Sequence, residues 1–225
     1  MTTSVAENLE QVRSTILDYA DRGGRDPAGV TLVAVTKTVP LARIREAIAA
    51  GLSVLGENRV QEALPKIEQL GGAGLEWHLI GHLQRNKVRF IDGAFTMVQS
   101  LDSIGLVEAL DRRIQAPLQV LLEVNVAEEA QKTGALPGDA EAIVRATAAS
   151  SRLRLRGLMT IAPQSANPED VRPVFRRLAR LRTELADRLE IALPVLSMGM
   201  TDDYGVAVEE GATMLRLGRA LFGPR

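Results

Sequence analysis

Residues Thr31–Leu55 read TLVAVTKTVPLARIREAIAAGLSVL, and this stretch contains one complete structural unit. Thr31–Thr36 is a short run that is apolar on both faces, as a strand covered on both sides must be. Leu41, Ile44 and Ile48 then recur at helical spacing behind Pro40, and Gly51 ends the pattern before a second apolar run at Leu52–Leu55. A strand, a helix and another buried strand make a parallel crossover. The same alternation continues through apolar runs at Leu75–Ile80, Ala94–Gln99, Leu118–Val124, Arg154–Met159, Leu193–Leu196 and Thr213–Leu217. Between them, helical faces are formed by Ile104, Val107, Leu110 and Ile114, by Ile143, Val144 and Thr147, and by Val171, Val174, Leu178, Leu181 and Leu185. Pro65 falls inside the pattern after the second strand and predicts a helix that is broken or starts late. The helix after Thr201 is expected to be short, ending near Gly211. Eight strands, each but the last followed by a helical stretch, predict a closed (β/α)8 TIM barrel. An open doubly wound sheet has similar local patterns and is the alternative.

Upstream, Ser4 and Glu7 have capping-box spacing, and Val5, Leu9, Val12 and Ile16 share one helical face that stops at Gly23 and Gly24. The expectation is one barrel domain over residues 1–225, led by a helix over about residues 4–22. A chain of 225 residues can bury a full core. Its 27 Lys plus Arg against 28 Asp plus Glu leave no overall basic excess for nucleic acid, and 3% aromatics leave little to stack on bases. The absence of cysteine removes disulfides, thiolate zinc sites, iron–sulfur clusters and cysteine nucleophiles. Two histidines, His78 and His82, do not build a metal site without carboxylates. No apolar stretch reaches the roughly 18 residues that span a bilayer, and no secretory leader is legible, so a cytoplasmic setting is expected. The longest polar connection, Ala127–Gly138, reads as a mobile loop.

Barrel chemistry sits at the C-terminal strand ends. The first strand ends in Lys37, on the same face as Val33 and Val35. If that face is the interior, the amine lies among apolar neighbours, which favours its neutral form and attack on a carbonyl. A surface lysine at a strand end is the plainer reading. Asn58, after the second strand, suits either a ligand contact or a helix N-cap. His82 follows Gly81 at the third strand end and is a candidate mouth residue, whereas His78 reads as a satisfied core histidine. Met159 reads as core or as an apolar wall. The last two strand ends, Leu196–Asp203 and Arg216–Gly223, are glycine-rich where such barrels bind phosphate, with Thr201 offering a hydroxyl and Arg219 a charge. Each turn alone is also ordinary strand-to-helix punctuation. An imine-forming lysine beside a phosphate cradle points to pyridoxal phosphate (PLP) or to a sugar-phosphate aldolase.

The stretches VAVTK (Val33–Lys37), GENRVQE (Gly56–Glu62), WHLIGHLQRNK (Trp77–Lys87), GLMT (Gly157–Thr160), LSMGMTDD (Leu196–Asp203) and RLGRALFG (Arg216–Gly223) together resemble the pyridoxal-phosphate homeostasis proteins. The likeness runs in order from about residue 5 to the C-terminus. It implies a barrel like the N-terminal domain of alanine racemase, with Lys37 forming a Schiff base with PLP and Arg216 beside the pyridine nitrogen. It also implies Thr201, Gly218 and Arg219 around the phosphate and Asn58 near the ring, with Ser197 and Met198 on the same loop. Many relatives have serine where this chain has Thr201, so the hydroxyl survives. At Arg219 some relatives carry threonine or serine, so an arginine–phosphate contact is special to this chain.

The resemblance implies a PLP carrier that buffers or delivers the cofactor, with PLP-dependent enzymes as clients. A monomer is expected, and no nucleic-acid or membrane partner. A weak PLP-dependent racemase or transaminase is the alternative, and a class I aldolase a third reading. Against turnover, an arginine cannot accept the ring proton and repels a pyridinium, which weakens the electron sink. Racemisation on this barrel also needs a tyrosine base on the opposite face. The only tyrosines are Tyr19, on the leading helix, and Tyr204, beside the phosphate turn.

Overall fold

A computed structural model describes residues 4–71, 74–129 and 131–224. Eight parallel strands close into a barrel in chain order: β1 (Thr31–Val35), β2 (Val54–Glu57), β3 (Glu76–Leu79), β4 (Met97–Leu101), β5 (Leu118–Glu123), β6 (Leu153–Met159), β7 (Val195–Ser197) and β8 (Met214–Leu217). Pairing of Thr31 with Met214 through Ala34 with Leu217 joins β8 to β1 and closes the ring. An open sheet is therefore excluded.

Strand alternation divides the apolar residues into two cores. Ala34, Leu55, Leu79, Val98, Leu122, Leu158, Leu196 and Leu215 face outward into the layer shared with the helices. Val33, Val35, Ile80, Met97, Leu121, Met159 and Met214 fill the interior. The leading helix, α1 (Val5–Arg22), carries both halves of the capping box and buries Val5, Leu9, Val12, Ile16 and Ala20. Its Asn8 side chain donates to the Leu221 carbonyl at 2.9 Å, which ties it to the C-terminal turn. Gly205 lies directly under the Tyr19 ring, where a Cβ would come within 2.7 Å, so Tyr19 is occupied in packing.

Several sequence expectations are corrected. β2, β4 and β7 begin two or three residues later than the apolar runs suggest. Leu52 and Leu193 are buried in the outer core but precede β2 and β7, because hydrophobicity records burial and not strand pairing. α2 (Leu41–Ala49) precedes β2, and α3 (Val60–Leu70) follows it and runs unbroken through Pro65. The proline gives up one backbone bond. The next residue compensates, since the Lys66 ammonium reaches the buried Glu57 carboxylate at 2.6 Å and the Thr36 carbonyl at 2.7 Å. The third strand is followed by a 3-10 helix over Arg85–Phe90 instead of an α-helix. Val88 and Ile91, both buried, sit three residues apart, which suits a three-residue turn. The remaining helices are α4 (Ile104–Arg113), α5 (Ala140–Ala148), α6 (Arg172–Leu189), α7 (Tyr204–Glu209) and α8 (Arg219–Phe222), so the last strand does carry a helical turn.

The β5–α5 connection is tethered rather than free in its described part. Asn125 and Ala135 share a backbone bond of 2.9 Å, and the Ala135 amide donates to the Glu123 carbonyl at the same distance. The Asn125 side chain closes a turn with Glu129 through bonds of 2.8 and 3.2 Å.

Candidate functional site

A cavity of about 740 Å³ opens at the C-terminal mouth of the barrel. Its walls include Lys37, Asn58, Thr201, Arg216, Gly218 and Arg219. Lys37 enters it because β1 alternates: Thr36 points outward, where its hydroxyl donates to Glu57 at 2.7 Å, and the following side chain points inward. Thr38 then adopts a left-handed φ of 61°, an unusual conformation for a β-branched residue, and bends the chain away directly behind the lysine. Lys66 takes the neighbouring carboxylate of Glu57, and Lys37 takes part in no ion pair among the described residues. Asn58 is held by the close approach of β3, since a Cβ on Gly81 would lie 2.4 Å from the Asn58 carbonyl oxygen. The helix N-cap is Arg59, which leaves Asn58 to the cavity.

Arg216 is 4% exposed and sits on the cavity floor. Its guanidinium donates to Ser197 Oγ at 2.6 Å and to the Thr160 carbonyl at 2.7 Å. Ser197 Oγ donates onward to Gln99 Oε1 at 2.7 Å, and Gln99 Nε2 lies 3.0 Å from His78 Nδ1. A chain of buried polar groups thus runs down the barrel interior from Arg216 to His78. Burial lowers the Arg216 pKa to about 10, opposed by the carboxylates of Glu123 and Asp203, so the group stays cationic at neutral pH. Burial in turn pushes both carboxyls up. Glu123 is countered by a 2.6 Å bond from the Thr133 hydroxyl, and Asp203 by the Met200 amide at 2.7 Å.

One rim of the cavity is formed by the turns after β7 and β8. Gly199 has φ 93°, and a Cβ there would meet Ala207 at 2.6 Å, so only glycine lets this turn lie on α7. Thr201 Oγ1 accepts the Ala220 amide at 3.2 Å, which joins the two turns. Arg219 is ion-paired with Asp202 across the rim.

Four sequence candidates do not line the cavity. Met159 is wholly buried in the interior layer beneath it, and Ser197 lies under Arg216 as its acceptor. Met198 alternates outward into the helix-facing core. His82 is half exposed beside Asp102, with Nδ1 3.3 Å from the carboxylate. The structure adds groups that sequence reading passed over: Gln99 and Glu123, polar residues inside apolar strands, and the wall from Ile161 to Ala166 after β6. The legible signal for the first two was a polar side chain on an inward strand position.

His78 is buried, but it is not fully satisfied. Nδ1 accepts from Gln99, while Nε2 has no hydrogen-bond partner, the nearest carboxylate being Glu76 at 3.7 Å. Burial lowers its pKa from 6.5 to about 4. The native state therefore keeps it neutral where the unfolded chain takes up a proton. Its contribution to stability is full above pH 6.5 and is lost as pH falls towards 4. That loss is on the order of 3 kcal/mol. In urea unfolding at pH 7 and pH 4.5, the wild type is expected to lose more stability than His78→Gln, and equal losses would refute the assignment.

The alanine racemase N-terminal domain family model matches residues 5–225. The pyridoxal phosphate homeostasis protein of Aquifex aeolicus is 44% identical over 225 residues, covering 99% of each chain. That of Pseudomonas aeruginosa is 46% identical over 226 residues, covering 99% of this chain and 96% of its own. This chain belongs to the pyridoxal phosphate homeostasis protein family. Among solved structures, PipY of Synechococcus elongatus with PLP bound superposes with a TM-score of 0.84 at 36% identity, covering 98% of this chain and 100% of PipY. The family's barrel is thus the one seen here, with the cavity at its strand ends.

The residues present fit such a cofactor. The cavity holds a lysine outside any described ion pair, a buried arginine with two of its donor directions fixed from behind, and a rim of hydroxyl, glycine and arginine.

Proposed function

We propose that this protein binds PLP at the barrel mouth through a Schiff base with Lys37 and holds it reversibly, buffering or delivering the cofactor in vitamin B6 homeostasis. The observation that carries this reading is the full-length likeness to PLP-bound PipY together with Lys37 and Arg216 in one cavity. The cofactor supplies an aldehyde, which condenses with an amine and releases water. Lys37 supplies that amine. Arg216, held by Ser197 and Thr160, presents a cation to the cavity, and beside the pyridine nitrogen it would disfavour a ring proton. Asn58 orients the ring, and Thr201, Gly218 and Arg219 hold the phosphate. A cytoplasmic monomer serving PLP-dependent client enzymes belongs to the same proposal. Among the described residues, no helix is long and apolar enough to cross a membrane. The test is borohydride reduction of protein incubated with PLP, followed by mass mapping: the label is expected on Lys37, and a label elsewhere or none rejects the reading.

The second reading, a weak racemase or transaminase, is favoured by the racemase family to which the barrel belongs. Non-enzymatic holding is supported by the cationic Arg216 and by the packing roles of both tyrosines, Tyr19 against Gly205 and Tyr204 against the helix-facing core. Incubated with PLP and alanine in deuterium oxide, the protein is expected to exchange the Cα proton no faster than free PLP does. Rapid incorporation read by NMR would establish the racemase reading instead.

A further inference from the structure

We propose that Asp202 is a built-in competitor for the cofactor's phosphate, weakening the protein's grip so that PLP is readily released. The inference rests on the PLP reading above and deepens it. Asp202 and Arg219 stand on the turns after β7 and β8, and both line the cavity at the rim that carries Thr201 and Gly218. Arg219 Nη2 is bonded to Asp202 Oδ2, and the two side chains are 55% and 62% exposed, so neither is locked by packing. The other polar groups of this rim are already directed: Asp203 accepts the Met200 amide, and Thr201 accepts the Ala220 amide.

A phosphate arriving here meets an arginine that already has an anionic partner. It must either draw Arg219 away from Asp202 or share the guanidinium while lying close to a carboxylate. The first route gives up an ion pair, and the second sets two anions side by side. Both lower affinity, and neither helps to hold a phosphate. A site built for tight retention gathers donors alone. A carboxylate on the same rim is a feature suited to reversible holding. The competing idea is that Asp202 merely steers Arg219 into place for the phosphate. The two differ in sign: removing a competitor tightens binding, and removing a guide weakens it.

The test is an absorbance titration of wild-type, Asp202→Asn and Asp202→Ala protein with PLP and, separately, with pyridoxal, which has the aldehyde and ring but no phosphate. Both variants are expected to bind PLP about three- to tenfold more tightly, with the gain shrinking as salt screens the rim. Pyridoxal affinity is expected to stay at the wild-type value. Unchanged or weaker PLP binding in folded variants overturns the proposal, and so does equal tightening for both ligands, since the effect would then not act on the phosphate. Circular dichroism verifies folding, and the exposure of position 202 makes two misfolded variants an outcome that itself contradicts the exposed-rim placement. Wild-type protein that fails to bind PLP at all rejects the underlying reading and is a separate result.

Discussion

Protein carrying Lys37→Ala is expected to show no imine absorbance with PLP and no borohydride-stable label, a complete loss rather than a reduction. The reason lies in the placement of the other amines. Lys66 is committed to Glu57 and the Thr36 carbonyl behind the barrel wall, and Lys132 is paired with Glu129 at 2.8 Å. Of the lysines, Lys37 alone is among the cavity-lining residues. Lys37→Arg is the instructive companion, because it keeps the positive charge but cannot form the imine. Both variants are expected to lose the covalent link equally. An imine spectrum retained in Lys37→Ala would reassign the linkage to another amine. Residual, weaker PLP retention in Lys37→Arg would measure what Arg216 and the phosphate rim contribute without the covalent bond.

The second large effect is expected at Gly157, in the middle of β6. Its φ is 156°, and a Cβ there would stand 1.8 Å from the Val195 carbonyl oxygen and 2.7 Å from the carbonyl carbon. These are backbone atoms of the paired strand, so no side-chain rotation relieves the clash. Gly157→Ala must open the β6–β7 pairing, in which Gly157 faces Val195, Leu158 faces Leu196 and Met159 faces Ser197. We expect a loss on the order of 4 kcal/mol or more, with poor soluble yield. Because Thr160 and Ser197 extend from this same pairing and hold Arg216, any folded fraction should also show weakened PLP retention. Gly138→Ala is the control: a Cβ there meets nothing within 4 Å, and a near-neutral effect is expected. A denaturation midpoint for Gly157→Ala close to that of the control would show that the barrel tolerates the added atom.

Gly157 also marks the boundary of sequence reasoning. Its place in the GLMT stretch served to relate the chain to a family, yet the demand for glycine comes from Val195, 38 positions along the chain. Pro65 shows the opposite failure. Local propensity predicts a break, and the part-buried Lys66–Glu57 pair holds the helix on the barrel regardless. By sequence, Ser197 and Met198 read as neighbours on one loop. Strand alternation separates them, one under Arg216 and the other among the helices.

The sequence alone determined the alternation of buried strands and helices, the face that Lys37 shares with Val33 and Val35, and the clustering of small residues after the last two strands. All of these are local properties, because side-chain period and turn chemistry act over a few residues. Tertiary structure decided which polar groups meet. The chain from Arg216 through Ser197 and Gln99 to His78 joins four different strands, and the Asp202–Arg219 pair spans two turns. The Ser197–Gln99 contact crosses the interior from β7 to β4 and exists only once the ring closes, and the Asp202–Arg219 pair depends on the pairing of β7 with β8; no sequence spacing relates these residues.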